Sequence, residues 1–501
     1  MRVSGKCTVQ SATIVGVRAL PVSVEVAITN GMPAFSIVGM PDASIQEARE
    51  RVRAAIRFCG FQMPPDKVVV NLAPGSLRKS GSGFDFPIAA AILAASRQID
   101  PDLVTESFLV GELSLEGEVK PVHGMLAHCR CAIENGLDIV CAPSEECAYV
   151  ADELAVHPVE RLSSLRAGGF GRMAPLRVPP TAPAQLDYGD VGGHEVAKRA
   201  MQIAAAGNHG ILMMGPPGSG KTMLASRLPS ILPPLDEAQR LETACIHSIV
   251  DDDVESLLAG VRPFRAPHHS ATMAGLLGGG NPVRPGELTL AHNGVLFLDE
   301  LAEFSPHVLQ GIRQPLESGK IAITRAAGNV VMPARFMFVA ASNPCPCGYH
   351  GDPKIPCTCS AAQVNAYQNR IGGPLIDRID MCIDVGRSEV DEVLDCRGGT
   401  DSATLAAGVA AARAFAFERY RRCDHRTVRT VPDMIEVCQM SDEAASLLRA
   451  MGKAFNLSGR GIMKVLGVAR TVADLGQHEQ VGEEDVAEAL NLRLRHTGGE
   501  S

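Results

Sequence analysis

Gly215-Pro216-Pro217-Gly218-Ser219-Gly220-Lys221-Thr222 stands between the apolar run Ile211-Leu-Met-Met214 and the helical pattern Met223-Leu-Ala-Ser-Arg-Leu228. A strand, a glycine turn and a helix N-terminus in that order make a phosphate-binding loop. Successive backbone N–H groups converge there on an anion, helped by the positive end of the helix dipole. Glycine supplies the torsions and the close approach of the backbone. In such a loop Lys221 reaches the β- and γ-phosphates of ATP, and Thr222 ligates Mg²⁺.

Outward from the loop, Val295-Leu-Phe-Leu-Asp299-Glu300 is an apolar strand that ends in two carboxylates. Buried parallel strands read as unbroken hydrophobic runs, and ligands collect at their carboxyl ends. Asp299 is placed to complete the Mg²⁺ shell and Glu300 to activate the attacking water. Arg335-Phe-Met-Phe-Val-Ala-Ala-Ser-Asn343 is a second such strand, ending in an amide that can orient that water. Gly373-Pro-Leu-Ile-Asp-Arg378-Ile-Asp380 puts an arginine at the start of a further strand. Arginine suits charge on a transferring phosphoryl group. Held away from its own nucleotide, Arg378 can act only across a subunit boundary.

Together these residues resemble the AAA+ superfamily. Loop and carboxylates correspond to its Walker A and Walker B motifs, Asn343 to sensor 1 and Arg378 to the arginine finger. Leu457-Ser-Gly-Arg460-Gly-Ile-Met-Lys-Val-Leu-Gly-Val-Ala-Arg470 looks like its sensor 2 segment. Arg460 is the first choice for a γ-phosphate contact and Arg470 the reserve; a surface ion pair is the alternative for either.

Arg262-Pro-Phe-Arg-Ala-Pro-His-His269, Gly278-Gly-Gly-Asn-Pro282, Pro285-Gly-Glu-Leu288 and Asn343-Pro-Cys-Pro-Cys-Gly348 narrow the resemblance to the YifB/ComM branch of magnesium-chelatase-like ATPases. It covers nearly the whole chain. It implies a homo-oligomeric ring, expected to be a hexamer, and an ATP-driven motor on DNA of the branch-migration type. The alternative is a chelatase-type regulatory ATPase that remodels a protein partner.

Lys221 and Asp299 lie 78 positions apart, longer than one helix-strand-helix excursion requires. The excess, Ala266–Gly294, reads as an inserted loop or hairpin. Gly319–Met332 reads as a second hairpin about an Ala-Ala-Gly-Asn329 turn. In the related ATPases such insertions face the ring pore, where Lys320 and Arg325 would follow DNA phosphates. A solvated hairpin without a ligand is the competing reading.

Cys345-Pro-Cys347 and Cys357-Thr-Cys359 offer four thiolates on one loop, a pattern for a structural Zn²⁺. Reduced thiols and a redox switch remain alternatives, since zinc modules more often use Cys-x-x-Cys.

The first 165 or so residues alternate β-like and helical signals. Ala12–Val17, Val22–Ile28, Lys67–Leu72 and Leu109–Leu115 read as strands. Ile45–Phe58 reads as a helix opened by the capping box Ser44-Ile-Gln-Glu47, with Arg49, Arg51, Arg53 and Arg57 on a mostly solvated face. Phe86–Ala95 reads as a packed helix. Arg78-Lys-Ser-Gly-Ser-Gly-Phe-Asp85 and Gly111–Gly124 resemble two segments of the Lon protease domain. The positions that align with its serine and lysine fall on Gly83 and His128, so Ser-Lys peptide hydrolysis is not expected.

The predicted organisation is α/β. It comprises a Lon-protease-like α+β domain without its dyad (1–167), a proline-rich linker (168–187), an AAA+ P-loop α/β core (188–395) and an all-helical lid (396–501). Helices are expected at Leu405–Arg422, Met434–Phe455, Gly461–Leu475 and Glu483–Arg495. The net charge of −9 argues against a uniformly basic nucleic-acid coat but permits a basic channel. No apolar run is long enough to span a bilayer, and no signal peptide opens the chain. A cytoplasmic protein with reduced thiols is the expectation.

Overall fold

The computed structural model describes residues 3–176, 182–250, 252–325, 328–371, 373–388, 399–422 and 430–493. Pro179 and Pro180 of the linker, the expected hairpin turn at 326–327 and the 395/396 boundary lie outside them; the last helix, expected over Glu483–Arg495, ends at Asn491.

Alternation of buried and exposed residues marks the N-terminal strands. Val3–Val15 and Arg18–Thr29 pair antiparallel, with Val15 opposite Arg18, so Gly16 (φ 64°) and Val17 make the turn. They lie at the centre of a seven-stranded mixed sheet. Its order is Ala34–Val38, Lys67–Ala73, Arg18–Thr29, Val3–Val15, Ser107–Val110, Asp138–Cys141, Val156–Pro158. The helix Asp85–Ala95 is buried in every residue and packs both on this sheet and on the helix Ala43–Phe58.

Three local expectations are corrected here. Asp42, not Ser44, caps the helix Ala43–Phe58, accepting from the Ile45 N–H at 3.0 Å. Arg51 leaves the solvated face to pair with the buried carboxylate of Asp85, with Nη2–Oδ1 at 3.0 Å. The run Leu109–Leu115 breaks at Gly111, whose N–H and carbonyl are engaged by Gly83 and Phe86. A Cβ at Gly111 would lie 2.7 Å from Val119.

The phosphate loop belongs to a five-stranded parallel sheet in the order Phe264–Arg265, Val295–Leu298, Met337–Ser342, Ile211–Met214, Met381–Asp384. The central three are buried at every position, which is why the sequence shows continuous apolar runs there. The insertion Ala266–Gly294 holds a short helix, Met273–Leu277, a two-rung hairpin pairing Gly278 with Pro285 and Gly279 with Arg284, and the helical turn Glu287–Leu290. The second hairpin pairs Lys320–Arg325 with Gly328–Pro333. Asn329, expected in its turn, pairs with Thr324 instead.

The helices Ser402–Arg422 and Gly459–Leu475 pack on the helix Glu195–Gly207 and share its core. The expected Met434–Phe455 helix is two, Val431–Cys438 and Asp442–Ala454. Gln439 takes a left-handed conformation (φ 46°) and Ser441 caps the second piece through the Ala444 N–H. The helix Met125–Glu134 packs on Glu237–Ser248, and residues of the N-terminal sheet share a core with that helix and with Glu255–Leu258. No described helix is long and apolar enough to cross a membrane.

Candidate functional site

The loop 215–220 connects the strand Ile211–Met214 to the helix Lys221–Ser226, with Gly218 and Gly220 at φ 76° and 80°. The Lys221 ammonium is folded into it, donating to the carbonyls of Gly215 and Pro216 at 2.8 Å each. It also donates to Asn343 Oδ1 at 3.3 Å, across 122 positions of sequence. Burial pushes the Lys221 pKa down, against the upward pull of Asp299 and Glu300. The Thr222 hydroxyl donates to Asp299 Oδ2 at 2.6 Å. A hydroxyl and a carboxylate converging beside the lysine are the oxygen donors that Mg²⁺ requires.

Glu300 adopts φ 50°, an uncommon conformation for a side-chain-bearing residue that costs about 1–2 kcal/mol. Its N–H donates to Asp299 Oδ1 at 2.9 Å. Its Oε2 lies 3.3 Å from His269 Nδ1, and the His269 ring lies 4.0 Å from that of His268. His194 is a further neighbour. It bonds Ser388 Oγ at 2.7 Å, and a Cβ at Gly220 would stand 3.3 Å from its Nε2. Sequence reasoning assigned neither histidine a role; the Pro-His-His269 block was the one signal for the first.

Arg378 is not brought to this cluster. Met381 pairs with Ile211 at the start of the sheet, whereas the phosphate loop follows Met214 at its end. Three strand steps, about 10 Å, separate the two levels. Arg378 Nη2 instead meets Glu317 Oε1 at 2.7 Å. Arg460 occupies the exposed first turn of the helix Gly459–Leu475 and makes no hydrogen bond or ion pair among the described residues. Arg470 is buried and engaged by Asp474 at 3.1 Å and by the carbonyls of Cys438, His478 and Glu479. Its donors hold the helical region together, so the reserve for Arg460 is a structural arginine.

Cys345, Cys347, Cys357 and Cys359 converge between the strand Met337–Ser342 and the helix Ala361–Ile371, their sulfurs all within 4.8 Å of one another. Sulfur pairs stand at 3.4 Å (345–347), 3.5 Å (347–357) and 3.7 Å (345–357). A tetrahedron with bonds of about 2.3 Å has edges of about 3.8 Å, so the cluster is compatible with a structural metal such as zinc. Backbone N–H groups of Tyr349 and Thr358 pull Cys347 down to about 5. The cysteine loop leans on the glycine-rich loop 215–220: a Cβ at Gly348 would lie 2.6 Å from Pro217 Cδ.

Lys320 and Arg325 are exposed on the second hairpin. A Cβ at Gly279 would stand 3.6 Å from Arg325 Nη2, so the two inserted hairpins abut.

Residues 187–393 match the family described as magnesium chelatase, subunit ChlI. Residues 24–146 match subunit ChlI of Mg-chelatase, and 399–493 its C-terminal region. The chain is 39% identical to the protein YifB of Escherichia coli K12 over 496 residues, covering 97% of this chain and 96% of that one. It is likewise 39% identical to the competence protein ComM of Haemophilus influenzae over 498 residues, 97% of each. The 67 kDa magnesium-chelatase subunit of Chlorobaculum parvum is a distant relative, 28% identical over 161 residues and 23% of its length. That membership supports an ATPase at family level, using ATP and Mg²⁺. The chain belongs to the YifB/ComM family of magnesium-chelatase-like proteins.

Proposed function

We propose that this protein is an ATP-hydrolysing ring motor, hexameric, that moves branched or single-stranded DNA. The observation that carries the reading is the separation of one catalytic set into two ends of one sheet. Lys221, Thr222, Asp299, Glu300 and Asn343 gather at the carboxyl ends of the parallel strands, and Arg378 stands at the opposite end. A subunit built this way binds nucleotide alone and needs a neighbour's arginine to hydrolyse it.

In this reading Lys221 and the loop amides hold the β- and γ-phosphates. Thr222 and Asp299 would hold Mg²⁺, which supplies charge neutralisation between the phosphates. Glu300 accepts the proton of the attacking water, and Asn343 orients that water between carboxylate and phosphate. Arg460, on an exposed first turn, is free to meet the γ-phosphate when the helical region closes. The four cysteines hold Zn²⁺ as a structural prop for the loop between Asn343 and Arg378.

The N-terminal region (1–167) is a Lon-like fold without peptide hydrolysis. Gly83 has no nucleophile, and Ser82 donates its hydroxyl to Glu112. Lys79 is tied to the Pro74 carbonyl, and burial pushes His128 down to about 4, so it is neutral at pH 7. A core shared with the helices Glu237–Ser248 and Glu255–Leu258 supports a bracing role instead.

DNA as the polymer is supported by the exposed Lys320 and Arg325 and by the relative named for competence. The test is ATP turnover with and without single-stranded, duplex and four-way-junction DNA. The parent should be stimulated. Lys320→Ala with Arg325→Ala should keep basal turnover, lose stimulation and flatten the salt dependence of DNA binding. A parent with no DNA response would favour the chelatase-type remodelling of a protein partner.

A further inference from the structure

The ion pair between Arg378 and Glu317 joins two parts of the chain with different tasks. Arg378 follows the short helix Gly373–Ile376 and is four-fifths buried, with 19% side-chain exposure; Glu317 is half exposed. Their 2.7 Å contact is an ion pair between a mostly buried guanidinium and a half-exposed carboxylate. An arginine whose charge is already matched by a carboxylate has less to offer a phosphoryl group.

Glu317 sits in the last turn of the helix Pro306–Ser318, three positions before Lys320. That turn is joined stiffly to the second hairpin. Gly319, at φ 64°, donates its N–H to the Pro315 carbonyl at 2.8 Å and accepts from the Ala334 N–H at 2.9 Å. The Ser318 hydroxyl donates to the Lys320 carbonyl at 2.9 Å and accepts from the Lys320 N–H at 3.3 Å. A Cβ at Gly319 would lie 2.8 Å from Arg335 Cγ, so the stem has no slack against the segment that leaves the hairpin. Displacement of the hairpin therefore displaces Glu317.

We infer that Glu317 is a restraining residue for Arg378. It holds the arginine on its own subunit until a polyanion engages Lys320 and Arg325 and draws the hairpin stem away. This rests on the proposed role of Arg378 at a neighbour's nucleotide. It adds the device by which the polymer-facing hairpin controls that role: the arginine is delivered when the restraint is pulled, so hydrolysis follows engagement.

The experiment compares the parent with Glu317→Gln, which keeps the shape and removes the charge, and with Glu317→Asp, which keeps the charge. Turnover is measured with and without four-way-junction DNA. Glu317→Gln should raise basal turnover about two- to fivefold, the factor to which a half-exposed ion pair corresponds, while the DNA-saturated rate stays put. The stimulation ratio falls by the same factor, and Glu317→Asp should restore part of it. Combined with Arg378→Ala, Glu317→Gln should produce no rise, since its effect passes through that arginine. Basal turnover unchanged or lowered by Glu317→Gln, with nucleotide affinity and melting temperature as in the parent, would overturn the restraint. Full turnover in Arg378→Ala alone would instead overturn the arginine's role, and the two failures are read from different variants.

Discussion

Gly348→Ala tests whether the cysteine loop props the phosphate loop. Gly348 has φ 86°, and an added Cβ would stand 2.6 Å from Pro217 Cδ. The left-handed backbone costs a side-chain-bearing residue about 1–2 kcal/mol. The contact is about 1 Å shorter than ordinary carbon–carbon packing, and overpacking of this kind costs about 1–3 kcal/mol. Gly351→Ala is the matched control: its φ is 81°, and nothing lies within 4 Å of its Cβ position. Both variants should lose the backbone part, and only Gly348→Ala should displace Pro217. Melting temperature reports the first effect, and the Kd of a fluorescent non-hydrolysable ATP analogue reports the second. We expect Gly348→Ala to weaken the analogue roughly tenfold, about 1.4 kcal/mol, with Gly351→Ala close to the parent. Equal weakening in both variants would refute the proposed support.

Glu300→Gln should leave nucleotide affinity intact while slowing turnover by orders of magnitude, whereas Lys221→Ala should weaken triphosphate binding itself. Mixed assemblies of Arg378→Ala and Glu300→Gln chains should recover part of the ATPase activity that each lacks, because some interfaces then hold both intact partners; no recovery in verified mixtures would place the arginine's action in cis. Metal analysis of protein purified with reductant and without chelator should find about one zinc per chain, and Cys357→Ser should lose it together with stability of the 343–378 segment. Burial holds folded His128 at about 4, against about 6.5 unfolded, so between those values the unfolded chain carries the extra proton. Stability should therefore fall as pH drops through that window, by about 3 kcal/mol from this residue, and be unaffected above it. Denaturant titrations of His128→Leu should show a shallower acid-side loss than the parent; parallel curves would remove His128 as a source. His209, His247 and His292, also pushed down by burial, keep their own share of the slope in both proteins.

Local chemistry was legible because it is written in contiguous residues. A phosphate loop needs glycines, a lysine and a hydroxyl within eight positions, and a carboxylate pair at a strand end needs the apolar run before it. From these the sequence alone determined a parallel-sheet nucleotide-binding core with a helical region after it, and picked out residues that the fold gathers: Lys221 with Asn343, Thr222 with Asp299, and the four cysteines. Helix ends were less legible. Asp42 and Ser44 are both good caps, and the choice fell to the one whose carboxylate reaches the Ile45 amide.

What only the tertiary structure decided is where charged side chains spend themselves. Arg378 and Glu317 are 61 positions apart, and no periodicity links them. Arg470 and Arg460 look alike in sequence, yet one is buried on Asp474 and three carbonyls while the other stands exposed. The lean of Gly348 on Pro217 and the approach of His269 to Glu300 likewise join separate segments. The physical reason is common to all of them. An arginine or a histidine satisfies its donors with whatever acceptor the packed core brings within about 3 Å, and that acceptor is chosen by the burial of apolar surface elsewhere in the chain.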